Sequence, residues 1–493
     1  MIRRFPRLSV LRLLFSWALA SSLCLFPSAA FAEPGTWSDP FNTAGSIPHT
    51  QAKEMLRPVD VAQDCQLSTP TGSIDLLTAV EHALCNNPKT RQAWTEVKVK
   101  AAQLGSAASA FAPTVTATLR QSINRTSSDV QDAPQLSSEQ RSSFRDYTVE
   151  LSWKLLDFGA RQAQAEYAKQ SLLAAQAMHD DTLQSVFATT VKDYYAGVAA
   201  RSAVEAALGT EDDARRSLQA AKARVQGGIA PLIDQLQAQT DYAQAVFNRA
   251  KVSGESRVLM GVLAVDMGLA PNLPVMLPSL PDDVQLETGL EGSVNALIEE
   301  ARQLHPKTLA ARAQLQAALA RIDSARALGL PSVNFTARAS TSTQPVVPAV
   351  GLPGIAATGR DRFVGLQLNV PIFEGFARTY EVRAARATLE SQEANLRDIE
   401  QQVTLNVWTT FTTLETDAEN VRNTDVLLDS ARQSFVAAQQ RYQKGVGSII
   451  ELLSAQTSLA NARQRRVQSL LDWRTARLQL AASLGHLSLM GLQ

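Results

Sequence analysis

The sequence predicts an α+β, mainly α fold: four strands per subunit that close into a 12-stranded membrane β-barrel only when three copies meet, continued by a long barrel of coiled-coil helical hairpins. Three observations predict it. The chain is written twice at a constant offset, its proline-free stretches are too long for compact helices, and four short segments alternate polar and apolar residues. The offset is 218 between Pro88 and Pro306 and between Pro113 and Pro331, and 217 between Gly228 and Gly445 and between Gly268 and Gly485. A period that long is no solenoid, whose units run to about 50 residues. It describes a pseudo-symmetric body of two repeats, 73–290 and 291–493.

Residues 1–32 read as a signal peptide, with Arg3, Arg4, Arg7 and Arg12 before an apolar run from Leu13 to Phe26 and the small-x-small sequence Ala30-Phe31-Ala32. The run is shorter than the ~20 residues of a spanning helix. Cys24 follows Leu23, where a lipidated cysteine would need a small residue. Residues 33–72, rich in Pro, Gly, Ser and Thr, read as an extended arm. After export Cys65 and Cys85 stand in an oxidising compartment, either joined as a disulfide or as two thiols.

Helix is expected from near Ile74, capped by Ser73, to about Phe111 with a break at Pro88. No proline occurs from Phe158 to Ala230 or from Phe373 to Gln493, and both stretches are dominated by good helix formers. A helix of ~70 residues extends ~105 Å, so it must fold back as a coiled-coil hairpin. Gly227-Gly228 before Pro231, and Gly445 with Gly447, mark the turns, placing hairpin tips at about 227–231 and 445–448.

Residues 114–124, 145–157, 332–342 and 362–373 alternate with period two. Tyr147, Val149, Leu151, Trp153 and Leu155 share one face, and Leu366, Leu368 and Val370 another. Glu150, Lys154, Gln367 and Asn369 stand on the opposite, wet faces, as lumen-facing residues would. Each segment is about the 9–11 residues that cross a bilayer when tilted. The connections 125–144 and 343–361 read as long polar loops of an outer-membrane barrel. Four strands cannot seal themselves, and unpaired strand edges in lipid are costly. Three copies make a water-filled cylinder; two would make one nearly plugged by side chains.

Charge is balanced at 47 basic and 47 acidic residues, which argues against nucleic acid as a partner. Five histidines show no metal-ligand spacing, no catalytic constellation is present, and the tip glycines lack the Lys-Ser/Thr of a phosphate loop. No enzyme, cofactor or metal is expected.

The paired openings AVEHALCNNP and ALIEEARQLHP, the passage LNVPIFEGF, and the tips RVQGGIAPLIDQLQAQ and RYQKGVGSIIELLSAQTSLANAR resemble the TolC-like family of outer-membrane secretion and efflux channels. ALCNNPKTRQAW is similar to the CyaE-type branch, which exports RTX toxins by type I secretion. The resemblance implies a homotrimer in outer-membrane lipid that works with a periplasmic adaptor and an inner-membrane ABC transporter or RND-type pump. It also implies a periplasmic aperture closed at rest, to which Tyr442, Asp234 and Glu451 match, and tip glycines at which the adaptor docks. Asp234 and Glu451, 217 apart, equally suit a solvated helix start favoured by the helix dipole. Two positions depart from the family: Gly447 stands where its tip arginine is expected, and Ser454 where its second acid is.

Overall fold

The computed structural model describes residues 39–47, 72–134, 137–278, 293–346 and 355–485. The expected signal peptide, most of the expected N-terminal arm and Cys65 lie outside the described residues. A 3-10 turn at Thr43–Ser46 precedes α1 (Leu76–Asn86), α2 (Pro88–Ser109), β1 (Thr114–Ser128), β2 (Ser138–Leu156), α3 (Ala160–Gln226) and α4 (Leu232–Asp266). The second half gives α5 (Val294–Leu304), α6 (Pro306–Ala327), β3 (Ser332–Val346), β4 (Ile355–Asn369), α7 (Ala377–Gln443) and α8 (Ile449–Ser483). Paired helices have equal lengths of 11, 22, 67 and 35 residues. Among the described residues no helix is long and apolar enough to cross a membrane.

Local chemistry fixes the helix ends. Asp75, not Ser73, caps α1, accepting from Thr78 N at 2.9 Å, because Ser73 is drawn into a bridge with Met276 and Ile74 N donates to Met276 O. Pro88 and Pro306 each open a helix at the position where a missing N–H costs nothing. Asn87 caps the first, accepting from Lys89 N at 2.9 Å, and His305 caps the second, its Nδ1 accepting from Lys307 N at 3.2 Å. Burial holds the His305 imidazole down at about 4, with Lys307 adding to the effect, so the ring is neutral and free to accept.

The four strands form one antiparallel sheet in the order β1-β2-β3-β4, leaving β1 and β4 as its edges. They run further than the alternation indicated. Arg125, Arg141 and the intervening Ser and Thr residues continue the ladder, with Arg125 opposite Arg141 and Ser128 opposite Ser138, so the first connection shrinks to 129–137. A polar run read as loop is strand here because its backbone is paired. β4 stops at Asn369, short of the expected 373, because Pro371 has no N–H to give to a ladder. The second connection, 347–354, lies outside the described residues.

The long helices pack side by side. α3 lies against α2, α4 and α6, and α7 against α6 and α8. Along α6 the residues Ala310, Ala311, Ala317, Ala318 and Ala325 are buried, and their small side chains let the helix backbones approach closely. Halfway along α3, Val186, Phe187 and Val191 pack on Val80, Ala83 and Leu84 of α1, girdling the long helices. Cys85, at the end of α1, is disulfide-bonded.

Candidate functional site

The chain has two ends that matter: the paired hairpin tips and the four-stranded sheet. At each tip the long helix closes through one left-handed residue, Gly228 at φ 73° and Gly445 at φ 81°. Ile229 N donates to Arg224 O and Val446 N to Arg441 O, both at 3.0 Å, capping the last turn. Gly227 has an ordinary helical φ of −76°, and Lys444 occupies its place in the second repeat, so no turn geometry demands glycine there. Gly447 answers a different need. A Cβ there would sit 3.0 Å from Arg441 Cβ and 3.1 Å from Tyr442 N, so a side chain at this position requires the preceding helix end to give by a few tenths of an ångström.

Tyr442 is 1% exposed, packed among Leu218, Ala221, Phe435, Ile449 and Leu452 where the two hairpins meet. Its hydroxyl is buried, and among the described residues no group meets it with hydrogen-bond geometry, although the Asp234 carboxylate stands close enough to act on it. Burial pushes the phenol pKa up, Asp234's charge adds to the rise, and Arg224 opposes it. The structure thus brings Asp234, in the first turn of α4, into the electrostatic reach of Tyr442 on the other hairpin. Glu451 is held elsewhere: Ser448 caps α8 by accepting from Glu451 N at 3.1 Å, and the Glu451 carboxylate pairs with Arg441 Nε at 3.0 Å inside its own hairpin.

The residue that ties the hairpins together is one the sequence reading passed over. Arg224 lies over the Tyr442 ring, 4.5 Å from its centre, and donates to the Tyr442 carbonyl. Its signal was present in the repeat, since Arg224 and Arg441 stand 217 apart, each four residues before the left-handed tip glycine. Above it, Gln456 Nε2 donates to Asp241 at 2.6 Å and Gln456 Oε1 accepts from Ser217 at 3.0 Å, while Arg463 pairs with Asp213 at 3.1 Å. These bonds continue the clasp between the hairpins. Ile229, Leu232, Ile233, Val446 and Ile450 remain exposed around the tips.

At the other end, register decides which side chains share a face. Val115 opposite Leu151, Leu151 opposite Ala337 and Ala337 opposite Val364 form one apolar row, and Trp153, Phe335 and Leu366 the next. Glu150 lies opposite Arg338, Lys154 opposite Asn334 and so in line with Gln367, and Asn369 opposite Ser332, all on the polar side. Arg338 pairs with Asp361 there at 3.6 Å. The ladder slips one residue between Lys154 and Leu156 as β2 hands over to α3. Two left-handed residues make each handover, Phe158 and Gly159 in one repeat and Gly375 and Phe376 in the other, and both phenylalanines are exposed. Among the described residues no cluster of His, Cys, Asp and Glu could hold a metal ion.

Comparison with known proteins bears on the whole arrangement. The family model described as "Outer membrane efflux protein" matches residues 79–256 and 297–486. The chain is 31% identical to Protein CyaE of Bordetella pertussis, over 84% of each chain, and 28% identical to the solvent efflux pump outer membrane protein SrpC of Pseudomonas putida, over 52% of this chain and 50% of that one. The solved CmeC outer membrane channel of Campylobacter jejuni superposes with a TM-score of 0.73 at 16% identity, over 85% of this chain and 90% of that one, which shows the shared fold. A sheet with one oily and one wet face, set on helices of 67 residues, fits such a channel. This chain belongs to the outer membrane efflux protein family: it is a TolC-like channel of the outer membrane that reaches into the periplasm, and not an enzyme.

Proposed function

We propose that this chain is the outer-membrane component of a type I secretion system, a passive conduit that carries a polypeptide such as an RTX-type toxin across the periplasm and outer membrane. It does so as a homotrimer, docked through a periplasmic adaptor to an inner-membrane ABC transporter. The observation that carries the trimer is the open-edged sheet. Among the described residues β1 and β4 each have an open edge, and their directions are opposite, so β4 of one subunit can pair antiparallel with β1 of the next and close the ring. Glu150, Lys154, Gln367 and Asn369 then line the lumen, and the apolar rows face lipid.

The tips form the periplasmic aperture in this reading. Asp234, Tyr442 and Glu451 surround its mouth, and the exposed apolar residues beside Gly228 and Gly445 offer the adaptor its docking points. Arg224 holds the first hairpin to the second, while Gly447 stands where the family's tip arginine is expected.

The polypeptide cargo is supported by likeness to CyaE along 84% of the chain, against about half of it for the solvent efflux protein. Deleting the chain from its host tests this: a polypeptide disappears from the culture medium while sensitivity to solvents and dyes is unchanged. The reverse pattern assigns the channel to a small-molecule efflux pump, the reading that the likeness to SrpC favours.

A further inference from the structure

The side of the sheet that bears the apolar rows also bears five arginines. Register places Arg125, Arg141 and Arg145 on it from β1 and β2, where Arg125 lies opposite Arg141 and Gln121 opposite Arg145. Arg360 and Arg362 join them from β4, opposite Thr341 and Ala339. They are not scattered. On every strand the outward side chains change from apolar to polar or basic on approaching the hairpin end: Ile123 then Arg125, Tyr147 then Arg145, Ala339 then Thr341, Val364 then Arg362. The hairpin end is the one far from the helices, and so faces the cell exterior.

Against these five, the outward face of the described strand residues carries one acid, Glu139, which pairs with Arg125. Arg141, Arg145, Arg360 and Arg362 are exposed and have no ion pair among the described residues. The acids Asp146, Glu150 and Asp361 all lie on the polar side, where Arg338 meets Asp361. A lipid-facing belt capped by unmatched cations on one rim only is a surface built for an amphiphile with negative head groups. Guanidinium suits phosphate in particular, because its planar fork donates two parallel hydrogen bonds and its apolar stem can lie along the belt while the head reaches the interface.

We propose that this collar binds the phosphate groups of a phosphorylated glycolipid in the outer leaflet, whose acyl chains lie on the apolar rows below. A free phosphate would satisfy the arginines but leave the belt unused. The adjacency of belt and collar on β1, β2 and β4 is what commits the surface to a lipid.

The test uses the full chain, purified as its assembled channel in neutral detergent, with native mass spectrometry and vesicle capture as readouts. The vesicles are phosphatidylcholine doped in turn with diphosphoryl lipid A, the same lipid A with its phosphates removed, or phosphatidylglycerol, and inorganic phosphate is added as a competitor. Diphosphoryl lipid A is expected to stay bound, and the combined substitution R141Q/R145Q/R360Q/R362Q to weaken its retention by about tenfold or more, since each basic residue near an anionic surface contributes several-fold. R120Q/R338Q, on the polar side, is expected to leave retention unchanged. Should the fourfold variant fail to assemble, R141Q/R145Q and R360Q/R362Q are each expected to show a partial loss. Equal retention of dephosphorylated lipid A, equal binding by the variants, or an equal loss in R120Q/R338Q overturns the collar. Retention of phosphatidylglycerol as strong as that of lipid A, or displacement by inorganic phosphate, overturns the glycolipid as its occupant.

Discussion

The Arg224 guanidinium stacks 4.5 Å over the ring of Tyr442 and donates to that residue's carbonyl, whereas Arg441, its equivalent in the other repeat, pairs with Glu451 within its own hairpin. Duplicated residues have been put to different uses. One arginine closes a hairpin on itself, and the other closes one hairpin on its neighbour.

Removing the second contact should therefore loosen the aperture without unfolding the tip. Arg224→Gln is expected to raise single-channel conductance in a planar bilayer several-fold, and Arg441→Gln to change it far less. Tyr442→Phe removes a hydroxyl that has no well-formed hydrogen bond among the described residues and keeps the buried ring, so it should be close to neutral for stability. Tyr442→Ala should cost about 3–5 kcal/mol through the cavity it leaves.

The tip glycines are not equivalent. Gly228→Ala and Gly445→Ala force a side chain into left-handed backbone and are each expected to cost about 1–2 kcal/mol. Gly227→Ala, at an ordinary helical φ, is expected to be tolerated or slightly stabilising. Thermal unfolding of the three variants in detergent checks the order.

Much of this was legible in the chain before its structure. The doubled prolines and glycines announced two repeats, and the absence of proline announced the long helices. The alternation of Tyr147, Val149, Leu151 and Trp153 announced a membrane strand. What the sequence hid were contacts between elements far apart along it. Arg224 reaches Tyr442 across 218 residues, and no periodicity encodes that partner. The upper strands were hidden for another reason: above the apolar belt both faces are polar, so Arg125 to Ser128 and Ser138 to Phe144 lose the contrast by which a strand is recognised.

A second asymmetry between the repeats predicts a pH dependence. Thr410 and Ser483 share a hydrogen bond at 3.1 Å, and the residues 217 before them are Asp193 and Asp266. Burial first, then the hydrogen bond and charge of Asp193, push Asp266 up to about 7, with Lys89 opposing. A carboxyl that is raised in the folded state favours folding most below its ordinary value of 3.8, and that advantage is lost as pH rises toward 7. D193T/D266S, which copies the second repeat, is expected to gain more in melting temperature at pH 8 than at pH 5.

His305 runs the other way. Its folded pKa of about 4 lies below the ordinary 6.5, so the stability it contributes is present above 6.5 and lost as pH falls toward 4. His305→Asn, which copies the Asn87 cap of the first repeat, is expected to keep the cap and flatten stability between pH 4 and 6.5. Melting curves across that range read it directly.

With Cys85 disulfide-bonded and Cys24 within the expected signal peptide, Cys65 is its expected partner in the exported chain. Non-reducing peptide mapping of the mature protein should recover the two peptides linked. Recovery of both as free thiols contradicts the pairing.

The central claim is that a sheet with two open edges needs identical subunits to seal it. The most direct measurement is the native mass of the detergent-extracted protein, taken together with its current in a planar lipid bilayer. Three copies and a steady ionic conductance are expected. A monomer that stays soluble without detergent and passes no current would contradict it.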